Sequence, residues 1–341
     1  MTVLSVDTGD LNVVSEMAST GWVSDATTNP LFVSQAGLSG DPKYAALVDA
    51  AVAYAKDKAS SNSEAATEGE VVALAMDRLA VNLGIEITKQ GLPGYVSTEV
   101  DPRLSFNTEE SLVRARRIIA MYEEEGVSRS KVLIKLAATW EGIEAARELE
   151  AKDGVTCNLT LIFGLVQAVA CAQAGATLIS PFTGRILDWH KAANGYETVE
   201  PAEDPGVLTC ARIYRYFKKY GHSTIVMPAS WRPSRGPGFE LDEILALAGV
   251  DRMTIPPGLL SKLLDSTEDV PRVLDPVTAA AECQDDELCG PEGAGTAMDE
   301  STFRLLMNAD LCATTKMAEG LQAFVVDTGK LEDAIRAKVA A

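Results

Sequence analysis

The sequence predicts an α/β fold, a TIM (β/α)8 barrel with additional C-terminal helices. Short apolar runs rich in β-branched residues alternate with longer stretches of helical periodicity, and eight such strands can be counted. The chain has 341 residues, 47% of them hydrophobic, and α/β barrels of this size commonly form one domain. An open doubly wound sheet is the alternative, but no GxGxxG motif follows the first strand.

The eight predicted strands are short, and most of them end in polar residues. The run VLIKLA at 132–137 is typical of a parallel strand that is covered on both faces, because apolar side chains point to both sides. The strands are predicted at 3–8, 25–29, 95–100, 132–137, 156–163, 177–182, 224–229 and 252–256.

Helices are predicted between these strands, at 11–18, 43–58, 70–89, 108–125, 140–152, 165–174, 205–220 and 241–248. Thr108 is the predicted N-cap of the fourth helix, and Gly221 is predicted to end the helix 205–220. The segment 283–297, rich in Gly, Pro and Asp, is predicted to be an exposed loop. Residues 1–341 are therefore predicted to form one barrel domain with a C-terminal helical extension at about 301–339, made of the helices 301–319 and 321–339.

The charge balance restricts the partners. The chain has 30 Lys and Arg against 49 Asp and Glu, a formal net charge of -19. Binding to nucleic acid or to an anionic membrane requires a positive field, so neither partner is expected. Residues 154–184 carry no charge, but the polar residues, glycines and proline within them favour a buried strand, helix and strand over a membrane span. An anionic substrate must be held by local arginines.

The cysteine and histidine content restricts the catalytic mechanisms and metal sites that this chain can have. The chain shows no targeting segment and has six scattered cysteines without a CxxC pair, so reduced thiols and a cytoplasmic location are expected. Only His190 and His222 occur, which argues against a histidine-based metal site and a Ser-His-Asp hydrolase. Neither a metal nor a cofactor is expected. Cys283 and Cys289 flank an acidic loop and could form a redox-sensitive pair, although two free thiols are favoured.

Lys135 lies in the middle of the apolar run 132–137. With a side-chain period of two it shares a face with Leu133 and Ala137, so its amine points into apolar surroundings. Desolvation disfavours the charged form of an amine, which is how an enzyme makes a lysine nucleophilic enough to form a Schiff base. The alternative is a side chain at a strand end that reaches water. The polar residues of the other strands favour the catalytic interpretation.

Most predicted strands carry a polar or ionisable residue at or near the carboxyl end. In a barrel these ends converge on one mouth, where active sites are built. A carboxylate and an amine buried in one apolar barrel are costly unless they have a function. The residues concerned are Asp7, Asn29, Glu99, Lys135, Asn158, Thr160, Ser180 and, just past the seventh strand, Ser230.

Six motifs are similar to the signatures of the transaldolase family: VDTGD at 6–10, DATTNP at 25–30, STEVD at 97–101, IKLAATWEG at 134–142, CNLTL at 157–161 and LISPFTGRILDW at 178–189. The resemblance implies a TIM barrel and a transferase of the non-oxidative pentose phosphate pathway. That enzyme would transfer a dihydroxyacetone unit from sedoheptulose 7-phosphate or fructose 6-phosphate to glyceraldehyde 3-phosphate or erythrose 4-phosphate. The resemblance also implies that Lys135 forms the Schiff base.

The resemblance assigns roles to the other polar residues. Glu99 would move protons through a water molecule during carbinolamine dehydration, and Asp7 would take the proton of the ketose C4 hydroxyl. Arg185 and Arg232, with Ser230, would bind the substrate phosphate, because a guanidinium fork suits a phosphate dianion. The dihydroxyacetone hydroxyls and the water would be held by Asn29, Asn158, Thr160 and Ser180.

Two other functions stay open. A fructose-6-phosphate aldolase of the same superfamily uses the same lysine but releases free dihydroxyacetone. Glu99 and Phe182 match the transaldolase pattern at positions where, as the resemblance implies, those aldolases usually differ. A non-catalytic sugar-phosphate-binding scaffold is the alternative from a different class, but binding alone does not require a buried amine. Because relatives are often dimers, a homodimer is also considered, although no residue pattern indicates the interface.

The sequence departs from the family pattern after Arg232. There the family usually has an asparagine and only a few residues before the next helix, whereas residues 233–239 (PSRGPGF) intervene in this chain. This loop is predicted to reshape phosphate binding or substrate preference, with Arg235 as a candidate for an additional contact.

Overall fold

The computed structural model describes residues 2–61, 66–288 and 296–341. Its centre is a parallel sheet of eight strands in the order β7-β6-β5-β4-β3-β2-β1-β8. The Thr254 amide donates to the Pro228 carbonyl at 3.1 Å, which brings the last strand beside the end of the seventh and gives a nearly closed barrel. The predicted TIM barrel is confirmed. The strands are β1 (Val3–Asp7), β2 (Val23–Thr27), β3 (Val96–Glu99), β4 (Val132–Ala137), β5 (Cys157–Ile162), β6 (Leu178–Pro181), β7 (Ile225–Val226) and β8 (Arg252–Ile255).

Helices surround the sheet. A π-helical turn, Leu149–Asp153, continues the sixth of them, and short 3-10 turns join several others. In the described ranges the α-helices are α1 (Leu11–Ser19), α2 (Pro30–Leu38), α3 (Pro42–Ser61), α4 (Glu68–Thr88), α5 (Thr108–Glu124), α6 (Trp140–Glu148), α7 (Leu165–Gln173), α8 (Thr183–Asn194), α9 (Pro205–Tyr220), α10 (Asp242–Ala246), α11 (Pro257–Asp265), α12 (Pro276–Glu282), α13 (Glu300–Ala309) and α14 (Leu311–Ala340).

Four of these helices, α2, α8, α11 and α12, were not predicted. Three of the four have a proline in the first turn, where its missing N–H and fixed φ cost nothing. In the sequence the same prolines, next to glycine or to polar residues, are also typical of turns and loops. The prediction therefore failed where a helix start and a turn share the same residues.

The predicted N-cap of α5 is wrong. Asn107, not Thr108, caps this helix, because its side chain accepts a hydrogen bond from the Glu110 amide at 3.0 Å. The Thr108 hydroxyl instead donates to the Glu141 carbonyl at 3.1 Å. Gly221 ends α9 in the left-handed conformation, with φ at 71°, as predicted.

The boundary between the last two helices also differs from the prediction. The break falls at Asp310, whose carboxylate caps α14 by accepting from the Ala313 amide at 2.9 Å. Gly320 lies inside α14, where a Cβ atom would come within 2.7 Å of Leu161 on β5. The glycine thus permits a close approach of helix to barrel rather than a helix end. Cys289 and the other residues from 289 to 295 of the predicted loop 283–297 lie outside the described residues.

The helix α14 has 30 residues, which corresponds to a length of about 45 Å. It packs against α2, α4, α8 and the strand β5, and it buries Phe324, Leu331 and Ile335. Its apolar side therefore lies across one end of the barrel. In the ranges that the structure describes, no helix has the length and apolar character needed to span a membrane.

Candidate active site

A cavity of about 300 Å³ lies at the carboxyl ends of the barrel strands. Nine of the predicted site residues line it: Asp7, Asn29, Lys135, Asn158, Ser180, Phe182, Arg185, Ser230 and Arg232. Glu99 and Thr160 are not part of the lining and lie in the wall behind it.

Lys135 is only 5% exposed, so it does not reach out to water. It pairs in register with Glu99 of β3, and its Nζ lies 3.0 Å from Glu99 Oε2. This contact has the distance of an ion pair but lacks the alignment of a hydrogen bond. The aligned hydrogen bond of the amine goes to the Thr28 carbonyl at 3.2 Å. The Phe324 ring covers the amine, with its centroid 5.9 Å from Nζ.

Two carboxyl groups accompany the amine. Burial raises the pKa of Glu99, although the charges of Lys135 and Arg185 oppose this effect. Burial also raises the pKa of Asp7, against the charge of Lys135 and a hydrogen bond of 2.7 Å from the Thr27 hydroxyl. Carboxyl groups with raised pKa values can exchange protons closer to neutral pH than free ones can.

Glu99 also borders a second, smaller cavity of about 50 Å³, which is lined in part by Asn29, Asp77 and Asp101. That volume exceeds the space that one water molecule needs, and the lining offers polar partners. A water molecule can therefore be accommodated next to the Glu99 carboxyl group.

The polar residues of β5 and β6 form a connected group. Asn158 pairs in register with Lys135, its Oδ1 accepts from the Ser180 hydroxyl at 2.8 Å, and its Nδ2 donates to Ser97 at 3.4 Å. Thr160 is fully buried, and its hydroxyl has no hydrogen-bond partner in the described part of the chain. A buried hydroxyl without a partner is unusual, and it suits a water molecule or a substrate hydroxyl.

Asn29 has a structural task as well. Its Oδ1 accepts from the Phe32 amide at 3.2 Å and thereby caps α2. Only its NH2 group remains to donate to a ligand in the cavity. Fixing the side chain by a cap orients that donor before any substrate arrives.

The two arginines of the cavity differ in their surroundings. Arg185 lies over the ring of Phe182, at 5.0 Å, and over that of Phe324, at 5.9 Å, and the structure records no ion pair for it within the described residues. Burial and the neighbouring charge of Arg232 lower the pKa of Arg185. The side chain of Arg232 is 47% exposed, and its Nε lies 3.5 Å from Asp188 Oδ2. Two adjacent cations at one end of the cavity can form a site for an anion.

Ser230 has a left-handed backbone with φ at 61°, a conformation that is costly for a residue with a Cβ atom. Its carbonyl accepts a hydrogen bond of 2.8 Å from the Gly184 amide, so the strained turn is attached to the start of α8. Strain of this kind is found where a structure must hold a functional group in place.

The candidate additional contact from Arg235 is not made. Its Nε donates to Asp242 at 2.6 Å, and its guanidinium stacks on Phe239 at 4.0 Å. Arg235 does not line the cavity, because these contacts hold it within its own loop.

Several residues of the cavity were missed in the sequence. Thr27 and Thr254 share a hydrogen bond of 2.6 Å below Asp7, and both line the cavity. Ala229, Trp231 and Pro256 follow strands, and the others come from helices, namely Leu31 and Phe32 of α2 and Ala323, Phe324 and Asp327 of α14. No local signal marks them, because nothing in the pattern of a helix tells which barrel end it crosses.

Comparison with known proteins adds independent findings. Residues 4–335 match the family described as Transaldolase/Fructose-6-phosphate aldolase. The chain is 49% identical to the transaldolase of Saccharomyces cerevisiae over 100% of this chain and 93% of that one. It is 44% identical to the transaldolase of Shewanella amazonensis, with 99% and 96% covered. It is 47% identical to a probable transaldolase of Drosophila melanogaster, with 98% and 93% covered.

Proposed function

The chain belongs to the transaldolase/fructose-6-phosphate aldolase family, and from that premise we propose that it catalyses the transaldolase reaction through a Schiff base on Lys135. The enzyme is a transferase that moves a dihydroxyacetone unit from a ketose phosphate to an aldose phosphate. One observation carries the assignment of the nucleophile: the buried Lys135 amine has Glu99 at 3.0 Å and opens into a cavity that Asp7 also lines.

The first step is formation of the Schiff base. The neutral Lys135 amine attacks the C2 carbonyl of the ketose, and the resulting carbinolamine loses one water molecule to give an iminium ion. Glu99 takes the proton from the amine and returns it to the departing hydroxyl through a water molecule. Its raised pKa and its position beside a cavity large enough for water support this role.

The second step is cleavage of the C3–C4 bond. Asp7 takes the proton of the C4 hydroxyl, the bond electrons move into the iminium ion to give an enamine, and the aldose phosphate leaves. The enamine then attacks the second aldehyde, and water releases the product from the lysine. Asn29, Asn158, Ser180 and the unpartnered Thr160 hydroxyl hold the dihydroxyacetone hydroxyls and the water during these steps.

Arg185 and Arg232 bind the substrate phosphate, with Ser230 beside them and Phe182 beneath the Arg185 guanidinium. Their pairing explains how a protein with a net charge of -19 holds an anion, since the positive charge is concentrated at one end of the cavity. Phosphate binding far from the reacting carbons supplies energy that orients the substrate.

A covalent trapping experiment tests the nucleophile. Borohydride reduction with fructose 6-phosphate should add a reduced dihydroxyacetone unit to the peptide that contains Lys135. Asp7→Asn is the matched variant: it should still be trapped, now with the uncleaved sugar, because it forms the iminium ion but cannot break the C3–C4 bond. An adduct on another lysine, or none in an active preparation, would contradict the mechanism.

An assay of fructose 6-phosphate with and without erythrose 4-phosphate separates the two activities of the family. Turnover that requires the acceptor is expected for transaldolase, and release of free dihydroxyacetone without acceptor would indicate the aldolase. An absence of turnover under both conditions would favour the non-catalytic sugar-phosphate-binding scaffold.

We also propose a cytoplasmic homodimer, on the resemblance to the family alone. Light scattering during gel filtration should give a mass near twice that of one chain, and a mass of one chain would contradict the dimer. Cell fractionation tests the location.

A further inference from the structure

A buried polar cluster, which the proposed reaction does not use, lies behind the segment that follows Arg232. Its members are Asp204, Ser234 and Glu243, which are 0%, 0% and 1% exposed. Glu243 Oε1 accepts from the Ser234 amide at 2.9 Å, and Lys191 Nζ donates to the Ser234 carbonyl at 2.8 Å. Asp204 caps α9 by accepting from the Gly206 amide at 2.6 Å.

Three oxygen atoms of this cluster are buried without a hydrogen-bond partner in the described residues: Asp204 Oδ2, Glu243 Oε2 and the Ser234 hydroxyl. Burying a carboxylate oxygen without a partner is costly if the group is charged. Burial raises the pKa of Asp204 to about 6, its amide partners oppose the rise, and the charge of Glu243 adds to it.

Arg232 lies between two points of attachment. Before it, the Ser230 carbonyl accepts from the Gly184 amide at 2.8 Å. After it, both backbone groups of Ser234 are bound by the cluster. The side chain of Arg232 also passes over Gly184, where an added Cβ atom would clash with it. The residues after Arg232 are therefore attached to α10, a helix that comes later in the chain.

We propose that Glu243 is a positioning residue for Arg232, which it fixes through its hydrogen bond to the Ser234 amide. The proposal rests on the proposed function, because Arg232 is taken to bind the substrate phosphate. Without the Glu243 acceptor the Ser234 backbone loses one of its attachments, and the phosphate site loses its alignment.

Two variants of Glu243 separate positioning from simple stability. Glu243→Ala removes the acceptor of the Ser234 amide, so KM for fructose 6-phosphate should rise about five- to fiftyfold while kcat changes by less than about twofold. Glu243→Gln keeps an oxygen that can accept from the Ser234 amide, so it should retain the parent KM.

The control is Glu240→Gln, which changes a carboxylate of the same region that pairs with exposed Lys262 at 3.2 Å and should leave KM unaltered. The concentration of dihydroxyacetone that half-saturates borohydride trapping should be the same in all variants, since this ligand has no phosphate.

A KM for fructose 6-phosphate that stays at the parent value in folded Glu243→Ala would overturn the proposal. So would a raised KM in folded Glu243→Gln, a result that is informative even if the alanine variant does not fold. Equal weakening of dihydroxyacetone trapping would show a general structural effect instead. Failure of the parent to be trapped on Lys135 rejects the proposed function, whereas intact trapping with an unchanged KM rejects only the positioning role.

Discussion

Replacing Arg185 by alanine should weaken the use of phosphorylated substrates more than replacing Arg232. The Arg185 guanidinium is partly buried, lies against two aromatic rings and has no ion pair within the described residues, so its hydrogen bonds are free for a phosphate. A hydrogen bond to a charged group contributes about 1.5 to 3 kcal/mol, which corresponds to a fall in kcat/KM of about tenfold to a hundredfold or slightly more.

Arg232 should contribute less. Its side chain is half exposed, its Nη1 already donates to the Trp231 carbonyl at 2.9 Å, and Asp188 lies 3.5 Å away. Exposed charge pairs contribute about 1 kcal/mol or less, so Arg232→Ala should lower kcat/KM by about two- to fivefold. In both variants the change should fall mainly on KM, since the phosphate lies far from the bond that breaks.

Steady-state kinetics with fructose 6-phosphate and saturating erythrose 4-phosphate measure these effects, and circular dichroism verifies folding. Arg235→Ala is the matched control, because that arginine is engaged by Asp242 and Phe239 and should change KM little. If Arg232→Ala costs more than Arg185→Ala, the argument from burial and free hydrogen bonds is refuted. If neither changes KM, the phosphate lies elsewhere.

Three further predictions follow from the buried ionisable groups. Glu99→Gln should slow trapping of Lys135 in single-turnover borohydride experiments by about a hundredfold or more, with little change in KM; an unchanged rate would exclude Glu99 from proton transfer. Because burial raises the pKa of Asp204 from 3.8 to about 6, the folded state holds the proton more tightly and stability falls as the pH rises through this window. Asp204→Asn should therefore raise the free energy of unfolding in urea at pH 7 by up to about 3 kcal/mol, with a smaller gain at pH 4.5. Five buried cysteines should react with a thiol reagent only on unfolding, and fast labelling of any of them would contradict their burial: Cys157, Cys171, Cys210, Cys283 and Cys312.

The local sequence pattern was sufficient to predict the barrel and many of the residues that line its mouth. A period of two in the run 132–137 placed the Lys135 amine on an apolar face, and the alternation of strands with helices made the strand ends converge. These inferences succeeded because the direction of a side chain on a strand depends only on nearby residues. Adjacent parallel strands then bring Glu99 and Asn158 into register with Lys135.

Local patterns could not decide where the helices lie on the barrel. Asp310 rather than Gly320 divides the last two helices, because Gly320 is required by the contact of α14 with Leu161, which lies far away in the sequence. The same packing brings Phe324 over Lys135 and Arg185, a position that helical periodicity does not encode.

The sequence by itself determined which residue types stand at the strand ends, and hence the chemistry that the barrel mouth can offer. Only the tertiary structure decided how those groups are solvated and partnered. Within the described residues it left Arg185 partly buried and without an ion pair while Arg232 stayed half exposed beside Asp188, and it buried Asp204 and Glu243. The reason is that charge and polarity belong to single residues, whereas desolvation and hydrogen-bond geometry arise when segments distant in the chain pack together.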